Sequence, residues 1–132
     1  MKTASVTCAA ACALLAAWPA AAHHSFVTEY DGTKPVSVTG TVRKVEWKNP
    51  HIWFYVDVKD ERGRVTTWGF SGAPPAFLQR RGIPRDVLKP GDIIRVDGFR
   101  ARDGSNNASG GKVTLADGRS VFTAAPEDLR PN

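Results

Sequence analysis

The chain has 132 residues, of which 42% are hydrophobic and 23% are charged, with 18 Lys and Arg against 13 Asp and Glu. This excess of positive charge is mild and forms no dense run, which argues against a nucleic-acid-binding protein. Both cysteines, Cys8 and Cys12, lie near the N-terminus. The rest of the chain therefore has no disulfide and no thiolate chemistry, and packing alone must stabilise it.

The first 22 residues have the three parts of an export signal. Lys2 supplies a positive start, residues 6–17 form an apolar run too short to span a bilayer, and Ala20–Ala22 offers small side chains for signal peptidase. Cys12 lies in the middle of the apolar run rather than at its end, so we expect no lipidation. Residues 1–22 are thus predicted to be a signal peptide, and the protein is predicted to be periplasmic, with no transmembrane anchor after cleavage.

Residues 23–35 form a polar lead-in, and from Val36 the period-2 pattern of a strand begins. The apolar positions change phase between Val42 and Val45, which indicates a β-bulge. A bulge beside Gly40 would let a long first strand bend. Further strands are predicted at residues 51–58, 65–70, 93–100, 113–115 and 120–122.

A short helix is predicted between the third and fourth strands. Pro74 and Pro75 suit a first helical turn, and Gly82 suits the position just after the last turn. Residues 103–111 have no apolar side chain larger than alanine, so we expect a flexible loop there. The Pro-containing end, residues 124–132, is expected to be a flexible tail.

The order of these elements over residues 36–123 predicts a mostly β fold. A small OB-like five-stranded barrel, with one short helix between strands three and four, has this arrangement. The bent first strand and the Gly-rich segment before the last strands both fit such a barrel. An open β-sandwich is the alternative.

Three histidines are the candidate metal ligands: His23, His24 and His51. Cleavage after Ala22 would make His23 the first residue, and its α-amine and imidazole could chelate copper(II) or a similar transition metal with His24 or His51. Cleavage one residue earlier would make His24 the third residue, which also gives a nitrogen site for copper(II). Alternatively, the first two histidines are only a polar start, and His51 satisfies a local backbone group.

Aromatic residues between positions 47 and 70 form the second candidate site. Strand alternation places Trp53 and Tyr55 on one face of a strand and Phe54 on the other. OB barrels bind ligands by stacking them on aromatic side chains of one sheet face. Trp53 and Tyr55 are therefore a candidate surface for a ligand or a protein partner. Alternatively, the helix or residues 26–30 cover these two rings.

No motif of a known catalytic site occurs in the chain. There is no nucleophile elbow, phosphate loop or dinucleotide fingerprint. The carboxylates near residues 57–61 lack the spacing of a calcium loop. We therefore expect a protein that is not an enzyme.

Several segments, taken together and in order, resemble one family. They are Ala22–Phe26 (Ala-His-His-Ser-Phe), Val38–Val42, Glu46–Trp47, Asn49–His51 (Asn-Pro-His), Leu88–Asp92 (Leu-Lys-Pro-Gly-Asp) and Gly98–Ala101. This set resembles a domain-of-unknown-function family of small secreted bacterial proteins, which implies export and a compact β-barrel-like domain but no activity. All three histidines lie within these segments. The chain departs from the family at Gly72–Pro75, where Gly-Ala-Pro-Pro replaces Gly-Ser-Pro-Asn, so any polar ligand from that segment is absent.

Three functional hypotheses follow from these features. The leading one is a non-enzymatic periplasmic binding module that binds copper or a similar metal through His23, His24 and His51. The second is an accessory module that docks on an exported redox enzyme or envelope complex through Trp53 and Tyr55 or through the loop at 103–111. The third is small-molecule binding in the barrel mouth.

Overall fold

A computed structural model of the chain describes residues 26–122. Residues 26–29 form a helical turn that leads directly into the first strand. The other elements are β1 (Tyr30–Glu46), β2 (Trp53–Lys59), β3 (Val65–Ser71), α1 (Pro75–Arg80), β4 (Ile93–Ala101), β5 (Asn107–Ser109), β6 (Lys112–Leu115) and β7 (Ser120–Phe122). No helix within residues 26–122 is long and apolar enough to cross a lipid bilayer.

A closed barrel forms because β1 pairs with two different strands. The earlier part of β1 pairs antiparallel with β4, and its last residues pair antiparallel with β2. From β2 the sheet continues through β3 to β5, which pairs parallel with β3, and then back to β4. The order β1-β2-β3-β5-β4-β1 is that of an OB fold. The predicted five-stranded OB-like barrel is confirmed, and the closing β1–β4 pairing excludes an open sandwich.

The remaining elements also agree with the sequence pattern. The helix α1 lies between β3 and β4, as predicted, and its Leu78 is fully buried in the core. The strands predicted at 113–115 and 120–122 correspond to β6 and β7, which pair as a hairpin, and β6 also pairs with β4. The core consists of buried side chains from the strands and from the α1–β4 segment, among them Val42, Ile52, Phe54, Val56, Phe70, Leu78, Leu88, Ile94, Val96 and Val113.

The bend in β1 has the two causes that the sequence suggested. The register with β2 shifts between Val42 and Lys44, so the predicted bulge is confirmed. At Gly40 the backbones of β1 and β2 approach each other closely. A Cβ atom placed on Gly40 would lie 2.3 Å from the backbone oxygen of Asp57. Only glycine fits at the position where β1 passes from one partner strand to the other.

Two segments differ from the sequence-based expectation. The first strand begins at Tyr30 rather than at Val36, because residues 30–35 pair irregularly with β4 and so lack period-2 alternation. The expectation of a flexible loop at residues 103–111 is wrong for the second half of this range. Residues 107–109 form β5, in which Ala108 is 0% exposed. Small side chains are needed there because the barrel closes tightly, not because the chain is flexible.

Gly40→Ala should destabilise the fold, because the added methyl group meets the β2 backbone rather than a side chain that could move. We expect the free energy of unfolding to fall by about 1–3 kcal/mol, the usual cost of overpacking. Thr39→Ala, at the exposed neighbouring position, should cost about 0.5 kcal/mol or less. Urea unfolding of both variants measures this difference, and equal losses would contradict the close approach at Gly40.

Candidate functional site

The outward side chains at the start of β2 form one continuous row. His51, Trp53 and Tyr55 are half-buried and alternate with fully buried core residues. The period of two along an extended chain therefore places all three on the outer surface of the barrel. We call His51, Trp53 and Tyr55 the outer row. It contains the one candidate metal ligand in the described part of the chain and both candidate aromatic contacts.

The two aromatic rings of the outer row lie side by side. The ring centroids of Trp53 and Tyr55 are 6.4 Å apart, and the ring planes differ by only 22°. Opposite Tyr55 on β3 stands Gly69, and a Cβ there would lie 2.4 Å from the Asn107 amide oxygen. Glycine thus lets the Asn107 side chain lie against the sheet beside the Tyr55 ring. The result is an aromatic surface with a polar amide at its edge.

Charged side chains of β1 border the aromatic pair. Glu46, which is opposite Trp53 in the register, binds Lys44 at 2.5 Å and Lys48 at 2.9 Å. The hydroxyl of Tyr55 donates a long hydrogen bond of 3.4 Å to the same carboxylate. The Lys44 ammonium also lies 5.9 Å from the centre of the Tyr55 ring. Hydrogen bonds from Lys44 and then Lys48 lower the pKa of Glu46 from 4.5 to about 2.

His51 is held to the neighbouring strand end by its ring. Its Nδ1 lies 2.9 Å from the carbonyl oxygen of Gly72. Because a carbonyl oxygen only accepts hydrogen bonds, Nδ1 carries the proton, and in the neutral ring Nε2 has the free lone pair. Within residues 26–122, Nε2 has no hydrogen-bond partner. The sequence suggests that His51 satisfies a nearby backbone group. The carbonyl that it contacts belongs instead to Gly72, 21 residues along the chain.

A second hydrogen bond ties the N-terminal segment to the same place. The hydroxyls of Tyr30 and Ser71 are 2.5 Å apart, and Tyr30 is only 6% exposed. Ser71 stands opposite Trp53 on β3 and directly precedes Gly72. Phe26 packs against the Tyr30 ring at 5.3 Å. The segment of residues 26–30 thus meets the barrel beside the His51 end of the outer row.

The predicted covering of the aromatic rings is only partial. Tyr30 binds Ser71, which is opposite Trp53 in the β2–β3 register, and Trp53 and Tyr55 are both half-buried rather than fully covered. His23 and His24 lie outside the described residues. Within residues 26–122, no three His, Cys, Asp or Glu side chains converge as a metal site would require.

A comparison of the sequence with protein families gives one match. Residues 11–111 match DUF6152, a family of unknown function. The chain belongs to this family. A search of curated proteins finds no match. The resemblance seen in the sequence is thereby confirmed, and it covers every strand from β1 to β5.

A comparison with solved structures finds a barrel of similar fold. The chain is similar to the mitochondrial single-stranded DNA binding protein Rim1 of S. cerevisiae, with a TM-score of 0.50 and 8% sequence identity. The similarity covers 63% of this chain and 93% of that chain. At this level of identity it concerns the fold alone, and it agrees with the closed OB-like barrel.

Sequence reasoning found the outer row but missed the residues that support it. The sequence pattern assigns no role to Tyr30, Ser71 or Glu46, because each of them acts through a contact with another segment of the chain. Strand alternation could have identified Glu46 as a neighbour of Trp53 once the bulge in β1 was counted. A groove of about 500 Å³ lies elsewhere, between the α1–β4 segment and the β6–β7 turn, and no residue of the outer row lines it.

Glu46→Gln should remove an acid-dependent part of the stability. Because the folded-state pKa of Glu46 is about 2 and its ordinary value is 4.5, the carboxylate stabilises the fold above pH 4.5 and loses this effect as the pH falls towards 2. The thermal midpoint of Glu46→Gln should thus lie below that of the wild type at neutral pH, and the two should converge in acid. Glu61→Gln, at an exposed carboxylate outside the ion pairs, should follow the wild type throughout. A constant difference for Glu46→Gln would contradict the pKa shift.

Proposed function

We propose that this protein is an exported, non-enzymatic periplasmic module that binds copper(II) or a similar transition metal. The ligands would be Nε2 of His51, the imidazoles of His23 and His24, and the α-amine that signal cleavage exposes. The observation that supports this proposal is the hydrogen bond from His51 Nδ1 to the Gly72 carbonyl. The location in the periplasm is part of the proposal and depends on the export signal.

The hydrogen bond of His51 is the kind that prepares an imidazole for a metal. Histidines that bind metals usually donate their other ring N–H to a carbonyl or carboxylate, which fixes the tautomer and the orientation of the ring. In His51 this leaves Nε2 as the ligand atom. The ring is half-buried, so a metal at Nε2 could exchange with solvent.

The path of the N-terminal segment supports a shared site. Tyr30 binds Ser71, and His51 binds the next residue, Gly72. Phe26 packs on Tyr30, and His24 precedes Phe26 by two residues, a span of at most about 7 Å of extended chain. Only Ser25 therefore separates His24 in the sequence from the segment whose Tyr30 contacts Ser71, and this short separation supports the proposal.

The chemistry of these groups suits copper(II). Neutral imidazole and amine nitrogens favour that ion, and a chain without cysteine after the signal offers no competing thiolate. Each of these nitrogens binds the metal only in its unprotonated form. The affinity should therefore fall as the pH is lowered, with release of protons on binding at neutral pH.

A titration of the exported and cleaved protein with copper(II), against a competing chelator, tests this proposal. We expect one-to-one binding tighter than about 1 μM, or about 8 kcal/mol. His51→Gln keeps an N–H donor for the Gly72 carbonyl but removes the imidazole, so it should weaken binding at least tenfold without a change in folding. The number of bound nitrogens, measured by electron paramagnetic resonance, should decrease by one.

The N-terminus of the sample must be confirmed by intact mass, since a leftover methionine would displace the α-amine. A variant with His23→Ala and His24→Ala should lose the tight site. If that variant binds copper(II) as tightly as the wild type, the metal-binding proposal is wrong. If His51→Gln alone leaves both the affinity and the nitrogen count unchanged, His51 is not a ligand.

A second candidate function is supported by the aromatic pair. Trp53 and Tyr55 lie on an open sheet face, partly exposed, and are bordered by an ion-paired carboxylate. Tryptophan and tyrosine are the residues that most often contribute binding energy at protein interfaces. We propose that this surface docks the protein on another exported protein, independently of metal.

Trp53→Ala should abolish metal-independent capture of such a partner from a periplasmic extract of the host. His23→Ala should leave the capture unchanged, because the terminal histidines play no part in this contact. The measurement is a pull-down in the presence of a chelator, with quantification of the one protein enriched over a Trp53→Ala bait. If no protein depends on Trp53, the docking function is wrong.

A further inference from the structure

The positive charge of the protein is concentrated in one short segment. Without Lys2 of the signal, the chain has 17 Lys and Arg against 13 Asp and Glu, a net charge of +4. Residues 80–89, from the last turn of α1 to the start of β4, contain Arg80, Arg81, Arg85 and Lys89 but one carboxylate, Asp86. This segment alone has a net charge of +3.

The other positive charges are mostly neutralised by neighbours. Ion pairs within residues 26–122 involve cations of β1, of the β2–β3 turn, of β4 and of the β6–β7 turn. None of them includes Arg80, Arg81 or Arg85, and all three are exposed. Five other cations of residues 26–122 also lie outside these ion pairs: Lys59, Arg62, Arg100, Arg102 and Lys112. No other ten consecutive residues of this range contain as many such cations as residues 80–89.

Two of these guanidinium groups are held against aromatic rings. The guanidinium carbon of Arg81 lies 4.9 Å from the centre of the Phe77 ring, and that of Arg85 lies 5.8 Å from the centre of the Trp47 ring. Such stacking restricts the side chain and leaves the N–H groups at the edge of the guanidinium plane free to bind an anion. The two arginines are therefore oriented donors rather than freely moving charges. We call Arg80, Arg81 and Arg85, with Phe77 and Trp47, the arginine patch.

We propose that the arginine patch docks the protein on the surface of an anionic phospholipid bilayer. Guanidinium groups bind phosphate oxygens with two parallel hydrogen bonds, and Trp47 and Phe77, which are half-buried and pack against the core, hold two of these groups in place. Between the arginines lie apolar side chains, the half-buried Ile83 and the exposed Pro84. This mixture of cations, aromatic rings and small apolar surface is typical of a peripheral membrane contact.

The shape of the surface favours a bilayer over an acidic peptide. The groove beside this segment is lined by three carboxylates, Asp86, Asp92 and Asp117, and by two cations, Lys89 and Arg119, so it offers no excess of positive charge to an acidic chain. The three arginines are not among its lining residues. The patch thus presents its charge on the outside of the barrel, where a flat surface can meet it.

Partition of the exported and cleaved protein onto vesicles tests this proposal. We expect binding to vesicles of equal parts phosphatidylglycerol and phosphatidylcholine at low salt, weaker binding at physiological salt, and none to pure phosphatidylcholine. Arg81→Gln with Arg85→Gln should weaken the partition about thirtyfold, since each arginine near an anionic surface contributes about 1 kcal/mol. Both positions are exposed, so unchanged thermal midpoints should show that the variant is folded.

A matched control removes the same net charge elsewhere. Arg64 and Arg43 are exposed, are paired with Asp60 and Asp57 and do not line the groove beside the patch, so Arg64→Gln with Arg43→Gln should weaken the partition less than about threefold. Equal losses in the two double variants would mean that only net charge matters and would overturn the proposal. So would the absence of binding to anionic vesicles. Displacement by inorganic phosphate beyond the effect of sodium chloride at the same ionic strength would indicate a site for free phosphate instead.

Discussion

The double pairing of β1 is the constraint on which the rest of the structure depends. One strand forms a ladder with β4 along its earlier part and with β2 along its end, and only this closes five strands into a barrel. A straight strand could not do so. The close backbone approach at Gly40 and the bulge between Val42 and Lys44 give β1 the necessary bend. Closure leaves the five barrel strands without a free edge.

Closure also determines which side chains can bind a ligand. Once Phe54 and Val56 fill the interior, the alternating residues of β2 must lie outside. The ladder between β2 and β3 continues beyond the strand ends, with Ile52 bonded to Gly72 and Ala73 through its backbone. This extension carries His51 to a position where its ring meets the Gly72 carbonyl. The histidine and the aromatic pair thus share one surface because they share one strand.

The polar contacts divide the surface of the barrel into two kinds of region. Around the outer row, Glu46 binds two lysines and the Tyr55 hydroxyl, so the cations there are paired with a carboxylate. Around α1, arginines have aromatic rings rather than carboxylates as neighbours. The first region suits a specific ligand or partner, and the second suits a large anionic surface. The proposals for the outer row and the proposal for the arginine patch therefore depend on different residues and can fail separately.

The sequence by itself determined the strand pattern, the bulge, the short helix and the outward position of Trp53 and Tyr55. Period-2 alternation and turn residues are local signals, and each element carries its own. Only the tertiary structure decided that residues 107–109 form a strand, because Ala108 and Ser109 are small to fit between β3 and β4 rather than to allow motion. It also decided the contacts of Tyr30 and His51, which join residues 41 and 21 positions apart. Such contacts depend on how the barrel closes, and no local pattern encodes the closing register.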